Sequence, residues 1–402
     1  MFTKIIAFSL ALIPFYCWQG WDEGIRTPKE TASIISLAVI IVAGFSLFNI
    51  KKAFNEYFFL FFGWCVVTLF LSNYAIPMYV EGGIVSLPSN LIAFKSLFYI
   101  ALALFSIQAI YSSDIDLKLI AKTITIVSLI MCGYCVLQLA GLDEWFRVAD
   151  SNTGWIGNSI WDKSNPEKWG HFSRRIVGTL GNPSILGIFL SLCIPFCLSL
   201  KNRLGNIATI CSFIIIGLTL SLTAYVTSIM AVIFIVFFHN KKVVISLFLI
   251  LAVISVLIVQ YIPKVKFMLN PTGRIEVLKE SFDLINRKAI TGYGLGSFQY
   301  LIGGNPEVVK RLHNENWKEA HNEYWQTWLE VGIIGLMLLL IGIFTVFKTF
   351  LKNITEETIY PMASFMVFLF VCLTYFPMRV SPLSYYGVVI LGVLTNKIGE
   401  AK

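Results

Sequence analysis

The spacing of apolar runs constrains this chain more than any other feature. Runs near the roughly 20 residues that a membrane helix needs occur at Lys4–Trp18, Thr31–Ile50, Phe58–Met78, Asn90–Tyr111, Leu119–Ala140 and Pro183–Leu200. Others follow at Gly205–Leu222, Ala224–Phe238, Val243–Ile262, Tyr324–Phe347, Ile359–Phe376 and Tyr385–Thr395. Charged residues make up 13% of the chain, about half the share usual in soluble domains. A water-soluble globule and a disordered chain are both excluded. The expected fold is all-α: a polytopic integral membrane bundle of about twelve transmembrane helices, with 1–402 as a single membrane domain. The first run reads as a span rather than a leader, because no small-residue cleavage site follows it.

Short turns set the orientation. With the N-terminus inside, cytoplasmic turns carry Lys51-Lys52, Lys118, Lys201 with Arg203, Lys241-Lys242, Lys348 with Lys352, and Lys397 with Lys402. The opposite turns at Tyr79–Ser89 and Ser221–Thr223 carry no Lys or Arg, a positive-inside pattern. This bias accounts for part of the net charge of +8, and no basic arm or zinc spacing points to nucleic acid. Two long segments fall outside: loop 1, 141–182, and loop 2, 263–322. Loops of that length usually carry function. No cysteine lies in either, and Cys132 and Cys135 lie inside an apolar run, where they read as small hydrophobes rather than a redox pair.

Loop 1 carries Trp145, Trp155, Trp161 and Trp169, and then Arg174-Arg175 just before the chain re-enters the membrane. Two readings fit the arginines: a fork for phosphate, or side chains snorkelling to lipid headgroups. Asn182-Pro183 has the pattern of a helix cap followed by proline at the first helical position. Loop 2 contains Arg274 at the head of a helix whose residues Ile275, Leu278, Phe282 and Ile285 fall on one face. This is an amphipathic helix lying on the membrane or capping the bundle. Gly292-Tyr293-Gly294-Leu295-Gly296 lacks the strand–turn–helix setting of a nucleotide loop and reads as a turn allowing close backbone approach. No cofactor or metal spacing is present.

Loop 2 ends at His321-Asn322, where a membrane run begins. A helix N-terminus disfavours protonation of a nearby imidazole, so His321 is a candidate general base; an interfacial histidine without a role is the plainer alternative. His171, His239 and His313 have weaker claims, His239 facing the cytoplasm. Glu330 falls inside the run, roughly 13 Å deeper along a helix, and an ionisable group there calls for a partner or a role. Arg379 and Lys95, near outer ends of runs, read mainly as interfacial anchors that could also help hold an anion.

Three segments together resemble the O-antigen ligase and O-antigen polymerase superfamily of bacterial membrane glycosyltransferases. They are Arg175-Ile-Val-Gly178-Thr-Leu-Gly181-Asn182-Pro183, then Gly273-Arg274-Ile-Glu with Gly292-Tyr-Gly294-Leu-Gly296-Ser-Phe298, then His321-Asn322-Glu-Tyr324 with Glu330-Val-Gly332. They span about two fifths of the chain. Ser184 departs from the pattern, since many members have a second Asn there. The resemblance implies metal-independent, inverting transfer of a glycan from undecaprenyl pyrophosphate to an acceptor hydroxyl, at the periplasmic face of the bacterial inner membrane. The acceptor would be a lipid A–core sugar in a ligase, or another lipid-linked glycan in a polymerase. His321 would be the base and Arg175 and Arg274 the pyrophosphate ligands, assisted by Arg174, with Asn322, Glu330 and Arg379 in support. The ligase reading is preferred on the His-Asn segment. A polytopic transporter is the rival outside the family, disfavoured by polar groups gathered in the outer loops and by the absence of a clear internal repeat.

Overall fold

The computed structural model describes residues 1–15, 26–44, 54–71, 75–80, 83–140, 142, 176–239, 274–312 and 317–401. The run predicted at 243–262 lies outside them, as do Arg174, Arg175, His171, His313 and the four tryptophans of loop 1. Every other predicted run is met by a helix. In chain order these are α1 (Phe2–Leu12), α2 (Arg26–Gly44), α3 (Glu56–Leu71), α4 (Ser89–Tyr111), α5 (Leu117–Leu139), α6 (Pro183–Ser199), α7 (Arg203–Thr219) and α8 (Leu222–His239). Then come α9 (Arg274–Arg287), α10 (Pro306–Arg311), α11 (Glu323–Lys352), α12 (Glu356–Val371) and α13 (Ser381–Glu400). Stretches 93–111, 117–139, 222–239 and 323–352 are each long and apolar enough to cross a membrane.

The all-helical expectation holds for the bundle, with one short hairpin beside it. The third run stops at Leu71, and β1 (Ala75–Val80) pairs antiparallel with β2 (Gly83–Pro88), from Ala75↔Pro88 to Val80↔Gly83. Pro77 cannot continue a helix, and the β-branched residues about it suit a strand.

Contacts between helix ends fall into two sets. At one end, the Thr3 hydroxyl donates to the Asp114 carbonyl, Asn396 Nδ2 to the Ser113 carbonyl, and Lys201 pairs with Glu356 near His239. At the other, the Thr179 hydroxyl donates to the Pro14 carbonyl, Thr223 meets Thr374, and Arg379 pairs with Glu323. The first is the end of the lysine-bearing turns; the second holds the candidate site.

Helix α6 runs through the middle and is apolar all round, as a fully buried helix must be. Asn182 caps it, accepting from the Ser184 and Ile185 amides, with Pro183 at the first position as expected. Apolar attraction is weak between helices in lipid, so close packing and polar contacts hold such a bundle. Gly187 allows α6 to touch Ala224 of α8, where a Cβ would meet the Ala224 methyl at 2.7 Å. Ser191 donates to the Gly187 and Ala224 carbonyls, and Ser364 of α12 to Leu192. Large apolar side chains face outward, among them Phe70 at 79% exposure and Phe8 at 69%. A belt of that kind suits hydrocarbon, not water.

Residues 274–312 build a small cap with its own core of Val277, Ile285, Phe298, Ile302, Val308 and Leu312, closed from below by Leu329. Here the periodicity of α9 is corrected: its buried face runs through Val277, Ser281 and Ile285, and Phe282 is 45% exposed. The helix is turned by about one residue because Phe282 stacks instead on Trp325 of α11, rings 5.9 Å apart.

The cap is joined to α11 through a break in that helix. Gly332 has φ 70° and ψ −179°, a conformation open essentially to glycine alone. The backbone of 289–294 fills the gap. Tyr293 N donates to the Leu329 carbonyl at 3.0 Å, Gly294 N to Glu330 at 2.7 Å, and Ile333 N to Ala289 at 2.8 Å. Trp64 Nε1 takes the Val331 carbonyl at 2.7 Å. A Cβ on Gly332 would lie 2.0 Å from the Ile290 carbonyl oxygen, and one on Gly292 2.5 Å from that of Glu330. The close approach expected of the glycine-rich turn is therefore to α11. Gly332→Ala should cost at least about 2 kcal/mol from backbone strain alone and lower the unfolding temperature of the detergent-purified protein. Gly217→Ala, with open space at its Cβ, should stay within about 0.5 kcal/mol.

Candidate functional site

The candidate site lies where the 317–322 segment, the head of α9 and the α12–α13 connection meet. Asn322 caps α11 by accepting from the Trp325 amide at 3.0 Å. His321, one residue earlier, has φ 53°, which turns the chain sharply before the helix starts. The segment is anchored from below: the Ala320 amide donates to Gln326 Oε1 at 2.9 Å, and the Glu323 amide to the Cys372 carbonyl at 2.8 Å.

Three aromatic rings surround the half-buried His321 imidazole, each edge-on. Trp317 is 5.3 Å away between centroids, Tyr375 5.7 Å and Phe376 4.8 Å. Its Nδ1 is buried without a hydrogen-bond partner among the described residues. Packing, not a carboxylate, therefore orients this ring. Burial and then the positive charge of Arg274 push its pKa from 6.5 down to about 3. This favours a neutral His321 near pH 7, through burial and a nearby cation.

Arg274 is the first residue of α9 and half-buried. Burial lowers its pKa, and the nearby Tyr375 phenol partly offsets that; a guanidinium keeps its charge under such a perturbation. No carboxylate pairs with Arg274 among the described residues. Arg311 differs, forming a two-pronged pair with Glu280 at 2.6 and 2.8 Å. A neutral imidazole thus stands in electrostatic reach of a cation that has no carboxylate partner among the described residues.

Arg379 is placed otherwise than as a lipid-facing anchor. Its guanidinium meets Glu319 at 3.4 Å, Glu323 at 3.2 Å and Glu330 at 3.1 Å. The Glu323 and Glu330 side chains are 2% and 1% exposed. The three carboxylates hold the Arg379 pKa above its ordinary value. Glu330 thus has the partner its depth demanded, with Gln326 Nε2 bridging it to Glu319 at 3.1 and 2.8 Å. Lys95 is exposed at the start of α4, over the Tyr99 ring. No cluster of ligands for a metal ion occurs among the described residues.

Arg174 and Arg175 lie outside the described residues, but the turn that follows them is visible. The Val177 and Gly178 amides both donate to Gln138 Oε1 at 3.0 Å. Beneath it lies a residue that sequence reasoning missed: Lys29 of α2, 2% exposed, donates to the Thr179 carbonyl at 2.7 Å. Its only signal was a lysine at the mouth of an apolar run, which reads as snorkelling.

The depressed pKa of His321 gives a stability prediction. Between pH 6.5 and about 3 the unfolded chain binds a proton that the folded site refuses, so stability falls as pH drops through that window. His321→Gln should flatten that part of the slope, read as the difference in unfolding temperature between pH 7 and pH 4.5.

Residues 207–340 match the O-antigen ligase family. The matched stretch runs from within α7 to within α11 and takes in Arg274, His321, Asn322 and Glu330. No curated protein matches the chain.

Proposed function

We propose that this chain, whose residues 207–340 match the O-antigen ligase family, transfers a glycan from undecaprenyl pyrophosphate to an acceptor hydroxyl. The acceptor is a sugar of the lipid A–core. The reaction takes place at the periplasmic face of the bacterial inner membrane, with the lysine-bearing turns in the cytoplasm. The observation that carries this reading is the Arg274 guanidinium, without a carboxylate partner among the described residues, in electrostatic reach of the neutral, caged His321 imidazole.

The chemistry follows from those two groups. His321 accepts the proton of the acceptor hydroxyl as that oxygen bonds to the anomeric carbon. The bond from that carbon to phosphate breaks from the opposite face, inverting the centre, and its electron pair leaves with the pyrophosphate. Arg274 offsets the charge that develops there, together with Arg175 and Arg174 from the end of loop 1. Protein groups supply both acid–base and charge stabilisation, so the scheme needs no metal.

The break at Gly332 is the one feature shared with transporters, which place solutes at discontinuous helices. Here the freed groups are occupied: the carbonyls of Leu329, Glu330 and Val331 and the amide of Ile333 all have partners. Those four groups are therefore not free to coordinate a solute.

The test is complementation of a deletion strain, with surface glycan resolved on a gel. His321→Ala, Arg274→Ala and Arg175→Ala should each reduce transfer by about 100-fold or more at normal membrane levels. Bare lipid A–core with accumulated lipid-linked polymer marks a ligase. Core bearing a single repeat would reassign the chain as a polymerase, and full activity of His321→Ala would remove the proposed base.

A further inference from the structure

Arg379 lies beyond the matched stretch and touches none of the groups given a chemical role above. Its surroundings are nevertheless the most heavily bonded in the described part of this end. The connection from α12 to α13, residues 372–380, supplies two of the three rings around His321. Among the described residues its polar ties to the head of α11 run through Arg379, its carboxylates and one backbone hydrogen bond. Glu323 Oε1 accepts the Met378 amide at 2.9 Å while its Oε2 faces Arg379 Nε at 3.2 Å. Arg379 Nη2 donates to Glu330 Oε2 at 3.1 Å, two turns deeper in α11. The Glu323 amide closes the loop on the Cys372 carbonyl. One carboxylate therefore grips both the backbone and the guanidinium of the same short turn.

The geometry points to Arg379 as a positioning residue of this site: its guanidinium, held by Glu323 and Glu330, fixes residues 372–380 so that Tyr375 and Phe376 wall the His321 ring. This rests on His321 acting as proposed above. The physical case has two parts. His321 Nδ1 has no hydrogen-bond partner among the described residues, where ring packing sets the imidazole's angle. Two of the three packing rings belong to a turn whose Tyr375 is buried in the bundle core while Leu373 and Met378 are 48% and 38% exposed, so the Arg379 clamp adds to the apolar packing that holds it. Removing the guanidinium would free that wall and let the imidazole swing. Removal would also leave two nearly sealed carboxylates without a counter-ion, a costly arrangement. The gentler changes are therefore Arg379→Lys, which keeps the charge, and Glu323→Gln, which keeps an acceptor for Met378.

The test reads the cage directly. Full-length protein in detergent is treated with diethyl pyrocarbonate, which labels neutral imidazole, and labelling at each histidine is followed by mass spectrometry. Transfer from a polyprenyl-pyrophosphate-linked oligosaccharide is measured on the same preparations. In Glu323→Gln and Arg379→Gln, His321 should label several-fold faster, while His239 at the far end of the bundle keeps its wild-type rate. Arg379→Lys should fall between. In the transfer assay kcat should drop by about tenfold to a hundredfold with KM little changed, as for a misplaced reacting group. If His321 labels at the wild-type rate in all three variants, the positioning role is wrong. If His239 accelerates in step with His321, the effect is general unfolding and the role is likewise rejected. A wild-type protein that transfers nothing would overturn the glycosyltransferase reading alone, because the labelling decides the role of Arg379 without it.

Discussion

The site depends on a helix that is interrupted and repaired by another part of the chain. An uninterrupted α11 would spend its carbonyls at Leu329, Glu330 and Val331 on its own next turn. With Gly332 in a left-handed, extended conformation, those carbonyls accept instead from Tyr293, Gly294 and Trp64, and the Ile333 amide returns to Ala289. Unsatisfied backbone groups are not tolerated at membrane depth, so the break cannot exist without the 289–294 segment. Glycine is required on both sides because each backbone lies where the other's Cβ would be. The cap thereby sits over α11 in a fixed register, and Arg274 at the cap's first helix comes to the same end as His321.

The two arginines at this end divide into different kinds of group. Arg379 faces more carboxylate charge than its own charge can balance, and the result is structural order. Arg274 faces an imidazole and a phenol and no carboxylate among the described residues, so it retains the capacity to meet an outside anion. Residue type and rough membrane depth do not distinguish the two; only the partners do.

Much of the architecture was readable from residue order. The apolar runs located the helices, Asn182-Pro183 announced the start of α6, and Glu330 signalled the need for a partner. What was not readable came from contacts between distant positions. The run 324–347 carries no mark of interruption, since a lone glycine is common in membrane helices, and the clash that makes Gly332 obligatory comes from residue 290. Arg379 looked like an anchor because its carboxylates lie far back in the chain. A signal did exist in Glu323, Gln326 and Glu330, which form a polar stripe at helical spacing on an otherwise apolar helix. The face of α9 was misjudged by one residue because Phe282 found a stacking partner outside its own helix.

The walls around the imidazole differ in what it takes to shift them. On the cap side, moving the chain means parting several backbone hydrogen bonds that nothing else in hydrocarbon can replace. On the α12–α13 side, one guanidinium and the carboxylates around it add to the apolar packing of Tyr375 and Phe376, and side chains re-pair more readily than backbones. The enclosure therefore has a welded wall and a latched one. Space beside the imidazole is cheapest to make at the latch, while the position of the imidazole along α11 stays set by the weld.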